Sequence, residues 1–214
     1  MRTKEQREFL QLIAMVTMLI DHIGVMFFPE QAVFRVIGRC SFPLFAYGIA
    51  EGVEHTHDFG RYFLRILLFA LISQPFYRAA FGLAQGNPLF MLAWGGLALW
   101  LWKKETAGGR ILSAVLLIAS FGADMSYGWY GVWMIFLFGL FRKEGGKCFP
   151  AVALLTALYG VVTHVWIQMY CLLSFLFLES GKAVRQTRLP RYFVYGFYPV
   201  HLGVLLLIQK LMMV

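Results

Sequence analysis

Apolar residues in this chain gather into long stretches separated by short polar connections. Nine such stretches stand out, at residues 9–28, 33–53, 62–81, 89–102, 111–123, 129–141, 148–164, 167–178 and 192–213. Each reads as a helix that crosses a lipid bilayer. Several are shorter than the roughly 17–25 residues a full crossing takes. Flanking Trp and Tyr, local thinning of the bilayer or a re-entrant course would accommodate the short ones. The pattern predicts an all-α, polytopic membrane helical bundle of about nine transmembrane helices, with eight plus a re-entrant segment as the alternative. No repeat or separate soluble region interrupts it, so residues 1–214 read as a single membrane domain.

Composition strengthens this reading. Of 214 residues, 60% are hydrophobic, 17% aromatic and only 14% charged, against about 25% charged in soluble domains. A core of this size cannot absorb that much apolar surface, whereas lipid can. The net charge of +8 would suggest nucleic acid in a soluble protein. Here the basic residues fall in short runs between apolar stretches, as the positive-inside rule describes, so the charge predicts topology and contact with lipid and not a nucleic-acid partner. With the N-terminus in the cytoplasm and nine crossings, the inner side receives Arg2, Lys4, Arg7, Arg61, Arg65, Lys103, Lys104, Arg110, Arg142, Lys143, Lys147, Lys182, Arg185, Arg188 and Arg191. Only Arg35, Arg39, Arg78 and Lys210 fall elsewhere. Joining 148–178 or 111–141 into one span would put a basic loop outside. The expected location is therefore the cytoplasmic membrane, multi-pass. Asp21 and His22 interrupt the first apolar stretch, which reads as a retained span and not a cleaved signal. Cys40, Cys148 and Cys171 lack metal-ligand spacing and read as small buried hydrophobes.

Ionisable groups within spans are costly and become functional candidates. On this topology Asp21, His22, Arg35, Arg39, Arg78, Asp124 and His164 lie toward the outer side, with His201 nearer mid-membrane. Such convergence predicts a polar cavity near the outer face. Neighbours on a helix diverge by about 100°, so Asp21 is expected to pair with Arg35, Arg39 or Arg78 and not with His22. An ion pair fixing helix packing is the plain alternative. His22 carries an imidazole that can act as base or nucleophile. His201 follows Pro199, which opens the helical ladder. For each histidine the bland reading is a hydrogen bond between helices. Glu51 is expected to pair with Arg61 or Arg65. The run Glu54-His55-Thr56-His57-Asp58 reads as a solvated loop and not a metal site.

Several stretches, in order, resemble the TraX family. They are Met18-Leu19-Ile20-Asp21-His22-Ile23-Gly24; Arg35-Val36-Ile37-Gly38-Arg39; Ser41-Phe42-Pro43-Leu44-Phe45-Ala46 with Glu51-Gly52; Tyr62-Phe63-Leu64-Arg65; Leu71-Ile72-Ser73-Gln74-Pro75-Phe76; Asn87-Pro88-Leu89-Phe90; Tyr127-Gly128-Trp129-Tyr130-Gly131; and Phe197-Tyr198-Pro199-Val200-His201-Leu202. TraX proteins look like small members of the transmembrane acyltransferase group, and the named member acetylates the N-terminal amine of conjugative pilin. Gln74 stands where the family commonly has an acidic residue, and Met91 where it commonly has a hydroxyl.

The resemblance implies an acetyl-CoA-dependent N-acyltransferase with acetyl-CoA as donor and an acceptor amine on a peptide, sugar or small molecule at or near the outer face. His22 would be the base or the transient acetyl acceptor, Asp21 and Arg39 would organise the site, and His201 would position donor or acceptor. Arg35, Arg39, Arg65, Lys103 and Arg142 are the candidate contacts to the donor, and no metal is required. Transport of a small or lipid-linked solute through intramembrane Asp, His and Arg is the competing expectation.

Overall fold

The computed structural model describes residues 4–180 and 190–212, and they are helical almost throughout. In chain order the elements are α1 (Lys4–Phe27), α2 (Ala32–Gly38), α3 (Ser41–His55), α4 (Phe59–Phe81), α5 (Pro88–Lys103), α6 (Ala107–Ala119), α7 (Gly128–Phe141), α8 (Cys148–Thr163), a 3-10 segment at Trp166–Leu173 running into α9 (Ser174–Ser180), and α10 (Arg191–Met212). Local chemistry sets several boundaries. Asp58 and Thr106 accept from the backbone N–H of Arg61 and Gly109, capping α4 and α6. Asn87 caps α5, whose first residue, Pro88, needs no backbone partner there. Gly82 ends α4 at φ +66°, a conformation that costs glycine little.

The stretch expected as one span at 33–53 runs through α2 and α3, which together give one apolar helical stretch, Ala32–His55, long enough to cross a membrane. Arg39 and Cys40 between them keep right-handed helical dihedrals, and Pro43 has no N–H to give the Arg39 carbonyl four residues earlier. The stretch runs back along α1, where Gly38 meets Asp21 and the Ser41 hydroxyl donates to Ala14 O. The stretch expected at 167–178 begins in 3-10 geometry. The basic residues Arg2, Lys182, Arg185 and Arg188 lie outside the described residues.

Contacts between helix ends sort the bundle into two faces. The C-terminal ends of α3, α5 and α7 meet where Glu54 contacts Lys103, Arg142 and Lys143. At the opposite face the N-terminal approaches to α5 and α7 are tied by Gly86 N–H to Asp124 O (3.0 Å) and Ser126 N–H to Gly86 O (2.8 Å). Helices α4 and α10 run parallel: Phe69 stacks on Tyr195 at 5.5 Å, and further along Phe76 packs on Gly203. The chain thus alternates between the two faces.

The centre of the bundle is α3, α5 and α7, packed through Phe42, Ala46, Ala50, Met91, Ala98, Leu99, Tyr130, Ile135 and Phe138. Helices α5 and α7 approach so closely that a side chain at Gly139 would collide with Leu99. The rim helices carry apolar residues outward, among them Leu64 on α4, Ile118 on α6, Leu154 on α8 and Leu211 on α10, each 65–74% exposed. A belt of that kind is stable only against hydrocarbon. Four helical stretches are long and apolar enough to cross a membrane, namely Glu5–Phe27, Ala32–His55, Phe59–Phe81 and Phe193–Met212. The others are shorter: α7 has 14 residues, about 21 Å of helix against a hydrocarbon core of about 30 Å. The molecule is an all-helical membrane protein.

Candidate active site

Helix α1 presents Asp21 and His22 to different neighbours, as their angular separation requires. Asp21 faces α2. Its Oδ2 accepts from Arg35 Nη1 at 2.8 Å and its Oδ1 from Arg39 Nη2 at 3.2 Å. The two arginines are one turn apart and grip the two carboxylate oxygens separately. Gly38 lets α2 come this close, since a Cβ there would run into the Asp21 carboxyl group. Arg39 reaches onward, giving Nη1–H to Gln168 Oε1 at 3.0 Å. Gln168 turns its amide toward the Tyr130 hydroxyl at 3.4 Å, and Tyr130 meets Thr156 Oγ1 at 3.1 Å and Cys171 Sγ at 3.4 Å. The Thr156 hydroxyl donates to Val152 O, so Tyr130 is the donor to Thr156. One buried polar chain thus joins α1, α2, the 3-10 segment, α7 and α8. It holds one carboxylate against two guanidinium groups and keeps an excess positive charge.

His22 points to α10, where its Nδ1 lies 2.7 Å from His201 Nε2. His201 Nδ1 in turn lies 2.7 Å from the Phe197 carbonyl. A carbonyl only accepts, so His201 Nδ1 carries a proton. In a neutral imidazole the other nitrogen is then bare, and His201 Nε2 must accept from His22. The proton of His22 is therefore on Nδ1, and its Nε2 has a free lone pair. The hydrogen-bond chain from Phe197 O through His201 fixes the tautomer of His22. Phe81 meets the His22 ring edge-on at 5.0 Å and Phe197 stacks on His201 at 4.8 Å. Arg35 and Arg39 lie near enough to His22 to interact with it electrostatically.

Tyr127 borders both groups. Its phenol lies close to Arg39, Asp21 and Tyr198. It sits at φ +63°, a strained backbone for a tyrosine, and its ring stacks on Phe42 at 4.1 Å. The other residues expected in this layer are placed differently. Arg78 is not Asp21's partner; it is exposed and donates to Ala84 O. Asp124 and His164 are exposed, and neither side chain is bonded to the cluster.

The basic residues do not form one group. Arg35 and Arg39 belong to the carboxylate cluster, while Lys103 and Arg142 stand at the far end of α3 with Lys143, around Glu54. From Arg39 to Glu54 is about 22 Å along the helix. Arg65 is half-buried on α4 beside the Tyr195 ring. Glu51 does not pair with Arg61 or Arg65. It is buried and accepts from Tyr47 O–H at 3.2 Å, while Arg61 pairs with Asp58 at 3.0 Å. The run expected as a solvated loop is put to local use: Glu54 takes the cations, His55 Nδ1 lies 2.8 Å from Glu51 O, and Asp58 caps α4. Gln74 has a packing role. Its Oε1 accepts from the backbone and side chain of the fully buried Asn87, and its Nε2 donates to Gln85 O. Of these bonds a carboxylate could not donate the last.

Gln168 was not singled out from sequence, and Tyr127, Tyr130 and Tyr198 entered only within the stretches that resemble the family, with no role given. A lone amide in an otherwise apolar stretch was a usable sign for Gln168. Residue type gave the tyrosines no role, because membrane proteins carry many at their interfaces.

The family model described as TraX protein matches residues 6–209. Protein TraX of Escherichia coli is 31% identical, over 94% of this chain and 86% of its own length. A second Protein TraX, from Escherichia coli strain K12, is 32% identical over 61% of this chain and 54% of its own length. The probable fimbrial assembly protein FimC, serogroup H1, of Dichelobacter nodosus is 26% identical over 92% of each chain. No solved structure matches. With one model spanning nearly the whole sequence, and with Asp21, His22, Arg35, Arg39 and His201 all inside the matched residues, the chain belongs to the TraX family.

Proposed function

We propose that this protein is a membrane-embedded acetyltransferase that moves an acetyl group from cytoplasmic acetyl-CoA to an acceptor amine at or near the outer face, with His22 as general base. The observation that carries the reading is the directional hydrogen-bond chain Phe197 O–His201–His22, which leaves His22 Nε2 unprotonated. Attack of an amine on a thioester needs a base at the nitrogen and stabilisation of the oxyanion. His22 Nε2 takes the amine proton as the C–N bond forms. It returns that proton to the thiolate as the C–S bond breaks. The excess positive charge of Asp21, Arg35 and Arg39 favours negative charge developing nearby.

In this reading the face carrying Glu54 is cytoplasmic, with the N-terminus on the same side. Lys103 and Arg142, with Lys143, are the groups for the phosphates of the donor, which would displace Glu54 from them. The pantetheine arm then spans toward the imidazole pair. Arg35 and Arg39 act on the reacting carbonyl end. Arg65 is available to the donor's phosphates from the neighbouring helix. A relative bears the name of a fimbrial assembly protein, which supports the terminal amine of a fimbrial subunit as one acceptor.

The test is reconstitution in lipid nanodiscs with labelled acetyl-CoA and an amine-terminated peptide. The expected result is transfer of label to the peptide. Failure to consume acetyl-CoA, together with CoA-independent solute uptake in proteoliposomes, would replace the enzyme with a transporter.

A further inference from the structure

Among the described residues, four buried polar atoms have no hydrogen-bond partner: Trp133 Nε1, Arg142 Nη2, Ser174 Oγ and the Tyr198 hydroxyl. Arg142 Nη2 at least faces Glu54 at 2.9 Å. Tyr198 differs from the rest in its company. It lies three residues before His201, on the same face of α10. Its ring meets His201 at 5.6 Å and His22 at 6.3 Å, edge-on to both. The residue is 5% exposed and its hydroxyl is closed to bulk solvent. A buried phenol ordinarily finds a hydrogen-bond partner. Tyr77, its neighbour in the packing, follows that rule and accepts from Gln85 Nε2 at 3.1 Å. A donor kept unpaired beside a general base has the character of a group waiting for an acceptor that exists only during reaction.

We propose that the Tyr198 hydroxyl donates to the oxyanion formed on the acyl donor's carbonyl during transfer, which makes it a catalytic residue beside His22. The proposal rests on the acyltransferase reading. As the acceptor nitrogen bonds to the carbonyl carbon, the π electrons move to oxygen and the nitrogen's proton passes to His22 Nε2. The resulting O⁻ accepts from Tyr198 O–H, which keeps its proton. The electrons return as the C–S bond breaks, and His22 protonates the thiolate. The thioester oxygen of the ground state is a weaker acceptor, so the bond acts chiefly in the transition state.

Steady-state acetyl transfer by Tyr198→Phe is compared with wild type and with Tyr77→Phe, each with its thermal midpoint. Tyr198→Phe is expected to lower kcat by about 10²-fold, to leave KM for acetyl-CoA within about twofold, and to keep or raise the midpoint because an unpaired hydroxyl is removed. Tyr77→Phe is expected to lower the midpoint and retain kcat. Should Tyr198→Phe fold poorly, incorporation of a fluorinated tyrosine at 198 tests the same point, since kcat should change with the acidity of the phenol. Unchanged kcat in Tyr198→Phe, or a fall in midpoint that accounts for the lost rate, overturns the role of Tyr198 and leaves the acetyltransferase standing. No acetyl transfer by the wild-type protein overturns both.

Discussion

Each face of the bundle gathers one carboxylate and several cations from separate helices, yet the two groups are physically unlike. At one face Asp21 is 12% exposed and Arg39 8%, and the guanidinium groups take fixed, separate oxygens. At the other, Glu54 is 19% exposed, with Lys103 at 32% and Lys143 at 63%, and only Arg142, at 4%, is out of water. Removing a partner from the first strands a charge out of water. Removing Glu54 from the second leaves the two lysines largely to solvent and strands only Arg142. The first group is therefore a fixed scaffold that sets the course of α2 and the surroundings of His22. The second is a displaceable cluster, suited to exchanging its carboxylate for another anion.

The contrast predicts a graded series. Asp21→Ala should have the largest effect, about 3–5 kcal/mol of stability, because it leaves Arg39 buried without its charge partner; denaturant titration in mixed micelles measures this. His201→Phe should come next, with acetyl transfer reduced by about 10²-fold through loss of the acceptor that orients His22, while Asp21 and its arginines keep the fold. Gly38→Ala should cost about 1–3 kcal/mol by pushing α2 off the Asp21 carboxyl. Glu54→Gln should be the mildest, about 1 kcal/mol, since its two lysine partners are partly exposed and screened and the Gln oxygen can still accept from the buried Arg142. Raising salt to molar concentration should shrink the Glu54→Gln difference and leave the Asp21→Ala difference intact. Equal salt dependence at both faces would break the distinction between them.

Much of this was legible in the sequence, for reasons that also mark where legibility ends. The membrane bundle follows from runs of apolar residues. The arginine partners of Asp21 follow from helical geometry and from the cost of a buried charge. The pairing of His22 with His201 joins residues 179 apart in the chain, and no local pattern encodes it. Glu54 shows the opposite failure. Its neighbours in sequence suggested a solvated loop, while its partners come from α5 and α7. Tyr198 could not be found by type or spacing, because its distinction is a hydrogen bond that it does not make.

The account turns on His22 Nε2 as the base. Acetyl transfer from acetyl-CoA to an amine-terminated peptide by reconstituted His22→Ala, beside wild type, tests it most directly. The rate should fall by at least about 10²-fold while the thermal midpoint shows the bundle intact. Transfer by His22→Ala at the wild-type rate would contradict the account.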